Sequence, residues 1–582
     1  MRVTRELTRM RHTMRAVFGL ERLRPGQAEV IRSVLEGRNT LAVMPTGAGK
    51  SLCYQLPALH LPGTTIIVSP LISLMKDQAD KLAEAGRDAA QVNSALTERE
   101  REESLAQIES ASSEFVFTTP ERFTEPEFLK TLRQTEIDFI VIDEAHCISE
   151  WGHDFRPAYL ALGAAIKTLG APPVLALTAT ATPAVAADIE RQLDLGPLRV
   201  INTGINRPNL HYEVLRVVNE AEKRAHLLRL LREIEGTGLV YAATVKTVEA
   251  LAEWLAGFEF AVAKYHGRLA AGVRRENQER FMAGELKAMI ATNAFGMGID
   301  KQDIRFVIHY QMPGSLEAYY QESGRAGRDG AAARCLLFYQ LDDRRVQQFF
   351  LGGKHPKFDD ILAVHAALET LRADEQPVAL AAVQTEAQAV AQTRVRVVLA
   401  LLKELGLVKE LRAGRFRLLR RDVSRAQLEA SAARAAEKTE QDRAKLERMM
   451  LYGQSAECRW RLLHDYFGEP MESERCGVCD NCLHPLAEQL GLNERAENQP
   501  RAQTPDDERA AAAETAAQPD AGSAARDESE SAAGEEIELA LGDEVELPQY
   551  GVGRVAEIED DKVVVKFPGG ETRMFKRDFI RR

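Results

Sequence analysis

No stretch of this sequence approaches the ~18 uninterrupted apolar residues of a membrane-spanning helix, so no membrane span is expected. The Arg-rich N-terminus also lacks the apolar stretch of a secretory signal, and the expected location is the cytoplasm. Cysteine is sparse: there are seven in 582 residues, and Cys53, Cys147 and Cys335 stand alone in apolar segments. That excludes a disulfide framework. The other four, Cys458, Cys476, Cys479 and Cys482, crowd together as metal ligands do in a reducing compartment. Positive charge is in deficit, with a formal net charge of −12, but the deficit is local. Residues 501–536 hold ten Asp or Glu against three Arg and nothing apolar larger than Ala or Pro. Such a segment cannot bury enough surface to offset its chain entropy and reads as a solvated linker. Residues 394–421 have the opposite bias, nine Lys or Arg against two Glu, so bulk charge excludes no partner.

What the chain does contain is alternation of short apolar runs with amphipathic segments. At roughly 100–200 residues per domain its length allows three to five folded units. TLAVM, TTIIVSP, EFVFTTP, DFIVID and PVLALTAT, all between residues 38 and 200, are each followed by a polar turn and a helical pattern. This is the pattern of βαβ units and a parallel sheet. Residues 238–340 repeat it with GLVYAAT, AVAKYHG, AMIAT, FVIHY and CLLFYQ. The expected fold class is α/β, with two parallel-sheet domains in tandem over 1–205 and 206–345, joined near NRPNL. Further on, Val395, Val398, Leu399, Leu402 and Leu405 fall at helical spacing, Gly406 stops the helix, and LVKELRAGRFRLL reads as two strands around Ala413-Gly414. A helical connector and winged-helix-like domain is therefore expected over 346–424. A helical cysteine module follows over 425–486, an acidic disordered linker over 487–536, and a small β-barrel of short glycine-broken strands over 537–582.

Two stretches carry phosphate chemistry. In LAVMPTGAGKS, residues Thr46, Gly47, Ala48, Gly49, Lys50 and Ser51 form a glycine-bearing loop that opens a helix. The glycines admit backbone N–H groups to phosphate oxygens, Lys50 reaches the β/γ-phosphates and Ser51 holds Mg²⁺. Met44 stands where the general pattern has Gly. In IDFIVIDEAH a buried strand delivers Asp143 for the Mg²⁺ shell and Glu144 to orient the attacking water of ATP hydrolysis. In the second domain QESGRAGRDG contains Gln321 and places Arg325 and Arg328 three apart on one helical face, as fingers for γ-phosphate charge across an interdomain cleft. The cysteine spacing C-x₁₇-C-x₂-C-x₂-C suits a closed tetrahedral Zn²⁺ site, although an Fe–S cluster also uses four cysteines.

These motifs, with FGLERLRPGQ, SPLISLMKDQ, DEAHCISEWGHDFRPAY, ALTATAT, YHGRL and ATNAFGMGIDKQDIRFVIHY, make the chain resemble the RecQ family of superfamily 2 DNA helicases over nearly all of residues 15–340. The resemblance implies that both α/β domains are RecA-like and that Arg24 and Gln27 recognise adenine. It further implies that Gly298 and Asp300 relay nucleotide state, and that the segment after Glu144 and His146 is an aromatic-rich loop coupling DNA to hydrolysis. There Trp151 and Phe155 would stack on bases of single-stranded DNA, Arg156 would add a phosphate or cation–π contact, and His153 would order the loop. The family also favours zinc for the cysteines, 3′→5′ movement, and branched DNA substrates in repair and recombination. Two departures stand out. The family's zinc module usually follows the motor directly, whereas here the winged-helix-like segment comes first, and the hairpin tip RAGR has no aromatic wedge. The C-terminal barrel, whose basic residues could meet an acidic protein surface or duplex DNA, resembles the Tudor-like tail of UvrD-type helicases, and that resemblance favours a protein partner.

Overall fold

The apolar runs become strands as expected. In the computed structural model β1 (Thr40–Val43), β2 (Thr64–Val68), β3 (Ala89–Val92), β4 (Phe115–Thr118), β5 (Ile137–Ile142), β6 (Val174–Thr178) and β7 (Arg199–Asn202) form one sheet. All its pairings are parallel, in the order β3-β4-β2-β5-β6-β1-β7. The inner strands β1, β2 and β6 are buried at every residue because helices cover both faces. The edge strands β3 and β7 are short and only partly buried.

A second all-parallel sheet uses β8 (Leu210–Arg216), β9 (Thr237–Tyr241), β10 (Val262–Tyr265), β11 (Ala288–Ala291), β12 (Ile304–His309) and β13 (Ala333–Tyr339). Its order is β10-β11-β9-β12-β13-β8. These are the two RecA-like domains. Ligands of such sheets sit beyond the carboxyl ends of the strands, which is where β1 delivers Lys50 and β5 delivers Asp143.

The structure describes residues 2–485, except 111–112, 150, 153, 297–298, 355, 412–413 and 421–424, and then 543–547, 551–559, 562–566 and 572–576. The acidic linker, the hairpin-tip pair 412–413, His153 and Gly298 lie outside the described residues. After β13, the helices Phe358–Thr370, Leu380–Glu386 and Gln392–Glu404 pack with β14 (Val378–Ala379), β15 (Val408–Leu411) and β16 (Arg415–Leu418). These strands are antiparallel in the order β14-β16-β15. Val395, Val398, Leu399 and Leu402 are buried in this core, and Gly406 ends the helical segment at φ 66°.

A 30-residue helix, Arg425–Gln454, then returns the chain to the second parallel sheet. Leu446, Met449 and Tyr452 join the core of the second sheet. The C-terminal unit is an antiparallel meander of β17 (Glu544–Leu547), β18 (Gly551–Glu559), β19 (Lys562–Lys566) and β20 (Thr572–Lys576), with Val545, Val555, Val563 and Val565 inside. No helix among the described residues is long and apolar enough to cross a membrane.

Candidate functional site

The phosphate loop leaves β1 at Met44 and enters the helix Leu52–Ala58. Gly47 and Gly49 have φ of 84° and 78°, a left-handed region that costs a side-chain-bearing residue but not glycine. At Gly49 space also matters, since a Cβ would lie 2.6 Å from Gln27 Nε2. That amide donates to Ala48 O and Gly49 O, both at 2.9 Å, while its Oε1 accepts from Arg24 N–H at 2.7 Å. The Arg24 guanidinium donates to Gly47 O. The pair expected at adenine thus braces the loop from outside.

Lys50 Nζ donates to Met44 O at 3.2 Å. Burial lowers its pKa, opposed by the charges of Glu144 and Asp143. Burial, then the Glu144 charge, pushes the Asp143 carboxyl up to about 7, against the pull of Lys50. Glu144 turns the chain in the left-handed region at φ 50°, ψ 47°. His146 Nδ1 lies 3.3 Å from Glu144 Oε2 and 3.0 Å from Thr178 Oγ1, linking the carboxylate to the end of β6.

The second wall comes from the other sheet. The helix Leu316–Ser323 ends at Gly324, so Arg325 and Arg328 do not share a helical face as expected. They lie in the turns beyond it, where Gly327 at φ 55° breaks the helical path. Both nevertheless line one cleft of about 620 Å³ with Gln321, Lys50, Ser51, Asp143 and Glu144. The Arg325 guanidinium donates to Gly296 O, and Arg328 Nη1 to Asp300 Oδ1 at 2.7 Å. Burial, then the charge of Arg325, lowers the pKa of Arg328. Asp300 also meets Lys81 Nζ of the first domain at 3.5 Å.

Sequence reasoning missed Arg207. Its Nη1 donates to Thr46 O at 2.6 Å and Gly324 O at 3.3 Å, and its Nη2 to Ala326 O at 2.9 Å and Gly327 O at 2.8 Å. One guanidinium therefore ties the phosphate loop to the turns that carry both arginines. NRPNL marks the domain junction but gives no sign of these distant backbone partners.

The ligand atoms of Cys458, Cys476, Cys479 and Cys482 all lie within 4.8 Å of one another. A tetrahedral zinc with Zn–S of about 2.3 Å needs sulfurs about 3.8 Å apart, and Cys476 and Cys482 Sγ are 3.8 Å apart. Sulfurs gathered this tightly leave room for one ion, not for a multi-iron cluster. Backbone N–H groups of Cys476, Arg459 and Val478 point at Sγ atoms of Cys458, Cys479 and Cys476, as suits thiolates. The cluster is anchored on β8: Arg459 Nε and Nη2 bond Asp480, whose Oδ2 accepts from Val214 N–H at 2.8 Å. Trp460 Nε1 donates to Leu210 O at 3.3 Å.

The loop after His146 is pinned by Ser149, whose Oγ donates to Asp188 at 2.7 Å and accepts from Trp151 N–H at 3.2 Å. Trp151 is 40% exposed. Phe155 is half-buried, with Lys438 Nζ 4.7 Å from its ring centroid. Arg156, expected to add a phosphate or cation–π contact to DNA, donates here to Asp154 Oδ2 at 3.0 Å and Pro70 O at 3.3 Å.

Residues 24–189 match the DEAD/DEAH box helicase family, 222–330 the helicase conserved C-terminal domain and 420–483 the RecQ zinc-binding family. The ATP-dependent DNA helicase RecQ of Bacillus subtilis is 48% identical over 57% of this chain and 56% of its own length. The probable ATP-dependent DNA helicase RecS of the same organism is 42% identical over 62% of this chain and 73% of its own length. The ATP-dependent DNA helicase RecQ of Synechocystis is 34% identical over 81% of this chain and 98% of its own length. The chain belongs to the RecQ family.

It spans about half of the Bacillus RecQ but nearly all of the Synechocystis one. Membership accounts for the cysteines, which fall within the RecQ zinc-binding match and whose geometry fits zinc. It also puts the unusual order in perspective. The segment between β13 and the helix Arg425–Gln454 is an excursion, and the zinc module still packs on the second RecA-like sheet. Of the expected RecQ site residues, Gln321, Asp300, Arg325 and Arg328 meet Thr46, Gly47, Gly49, Lys50, Ser51, Asp143 and Glu144 at one cleft.

Proposed function

We propose that the chain is an ATP-dependent DNA helicase of RecQ type that moves 3′→5′ on single-stranded DNA and unwinds branched duplexes in repair and recombination in the cytoplasm. The observation that carries this reading is the single cleft in which Lys50, Asp143 and Glu144 of one sheet face Arg325 and Arg328 of the other, bridged by Arg207. Lys50 would leave Met44 O for the β/γ-phosphates, and Arg24 and Gln27 would hold the loop in shape beside adenine. Mg²⁺, for which Ser51 and Asp143 are the oxygen donors, neutralises phosphate charge when bound. Glu144 would orient the attacking water, kept in place by His146. Arg325 and Arg328 would meet the charge that develops on the γ-phosphate, so hydrolysis would require the cleft to be closed.

On this reading residues 1–205 and 206–345 are the motor domains, 346–424 a connector and winged-helix domain, 425–486 the zinc module, 487–536 a tether and 537–582 a small Tudor-like barrel. Trp151 and Phe155 would stack on bases. The winged-helix hairpin has Phe416 as its one aromatic, and that side chain is buried, so strand separation would not use an aromatic wedge there. The barrel would recruit a protein partner, and truncation after Pro500 should then leave ATPase and unwinding nearly unchanged.

The test compares ATPase stimulation by single-stranded DNA and RNA, and unwinding of 3′-tailed and 5′-tailed duplexes, in wild type and Glu144→Gln. We expect DNA-stimulated turnover and unwinding from a 3′ tail, both lost in Glu144→Gln with ATP still bound. Stimulation without unwinding would instead indicate a translocase, and a preference for RNA would overturn the DNA assignment.

A further inference from the structure

The helix Arg425–Gln454 carries Lys438, Asp442, Lys445 and Met449 at i, i+4, i+7 and i+11, which places them on one face. Met449 is buried in the core of the second sheet. Asp442 and Lys445 line a second cleft of about 410 Å³ with Asp154 of the aromatic loop and Glu322 and Arg325 of the second domain. Lys445 Nζ donates to Trp151 O at 2.7 Å and Gly152 O at 3.5 Å, and lies 3.8 Å from Glu317 Oε1. Its side chain is 18% exposed and that of Glu317 8%, so these charge-assisted contacts are partly shielded from water and strengthened by it. One lysine thus joins the loop of the first domain to the helix Leu316–Ser323, whose trailing turns carry Arg325 and Arg328. Two turns earlier, Lys438 Nζ stands over the Phe155 ring. A nucleobase would stack on a ring face of this kind, so the ammonium and the base compete for Phe155.

We propose that this helix face positions the aromatic-rich loop: Lys445 holds the loop backbone against the second domain, and Lys438 occupies Phe155 until single-stranded DNA displaces it. The segment that leads into the zinc site then sets how strongly DNA accelerates ATP hydrolysis. The proposal rests on the helicase reading above. Both lysines are positioning residues that act through the loop. Their removal has different consequences, because one holds the transmitting element and the other blocks the receiving ring.

Full-length Lys445→Met, Lys445→Arg and Lys438→Met test this in two assays. In the first, hydrogen exchange of amides 147–156 is followed without DNA. We expect faster exchange in Lys445→Met and wild-type exchange in Lys445→Arg. In the second, ATPase is titrated with single-stranded DNA. Lys445→Met lowers maximal stimulation about tenfold, the scale of one lost charge-assisted hydrogen bond, and Lys445→Arg restores it. Lys438→Met instead lowers the half-saturating DNA concentration about threefold, as expected when a weak competitor is removed. Unchanged exchange in Lys445→Met overturns the proposal. So does an equal rise in half-saturating DNA for Lys438→Met and Lys445→Met, which would make both lysines ordinary phosphate contacts. A wild-type chain without DNA stimulation sinks the helicase reading, and the exchange data then still decide the loop contact.

Discussion

Replacing Arg207 with Ala removes the donor that holds Thr46 O, Gly324 O, Ala326 O and Gly327 O. Gly327 O keeps a partner, because Asn209 Nδ2 also donates to it at 2.8 Å. The bond to Thr46 O is the one that crosses between domains, and at 2.6 Å it is the shortest of the set. A hydrogen bond from a charged donor contributes ~1.5–3 kcal/mol. Losing the cross-domain bond, and loosening the turns that present Arg325 and Arg328, should raise the barrier to hydrolysis by ~2–3 kcal/mol, or roughly 30- to 150-fold in kcat. The phosphate loop keeps its braces from Arg24 and Gln27, so KM for ATP should change much less. The assay is single-stranded-DNA-stimulated ATPase across an ATP titration, with Arg207→Lys beside it. Lysine supplies the charge but cannot fork between two carbonyl groups, and it should recover only part of the rate. A kcat within threefold of wild type, or a loss confined to KM, would refute the clamp.

Three further outcomes follow from the site. Trp151→Ala and Phe155→Ala should raise half-saturating single-stranded DNA about tenfold or more, since stacking contributes ~1–3 kcal/mol per base; undiminished stimulation in the double variant would exclude the loop as the DNA sensor. Metal analysis should find one zinc per chain, lost in Cys479→Ser together with protease resistance around residues 440–485, because metal binding and folding are linked; retained zinc would remove Cys479 from the ligand set. With the Asp143 carboxyl raised to about 7, protons compete with Mg²⁺ as pH falls. Mg²⁺ affinity should then weaken about tenfold between pH 8 and pH 6, and a flat profile would mean that Asp143 does not hold the ion.

Inner strands and phosphate motifs were legible because each has a strong local signature. A strand buried on both faces must be apolar, as FIVI at residues 139–142 of β5 is, and a phosphate loop must place glycine where φ is positive. The edge strands left no such mark: β3 reads AAQV and β7 reads RVIN, each with one side toward solvent. Spacing also misled at Arg325 and Arg328, where three residues suggest a helical face. Two glycines instead carry the chain through turns, and the arginines converge by loop geometry rather than by helical periodicity. Arg207, Lys438 and Lys445 were illegible for a different reason. Their partners are mostly backbone carbonyls or an aromatic ring far away in sequence, which no residue pattern encodes.

The anchoring of the tetracysteine segment on β8 also sets a timetable for synthesis. Tyr212, Tyr319 and Tyr320 pack against Trp460, Tyr452 and Phe467, and these partners lie about 110–130 residues beyond the end of β13. At ~5–20 residues per second of translation, the ribosome needs roughly 6–26 s to deliver them after the last strand of the second sheet has been made. For that interval β8 is an uncovered edge with an exposed aromatic face, the kind of surface that pairs with other chains. The nascent protein is therefore most exposed to aggregation, and to chaperones, while its excursion domain is being translated.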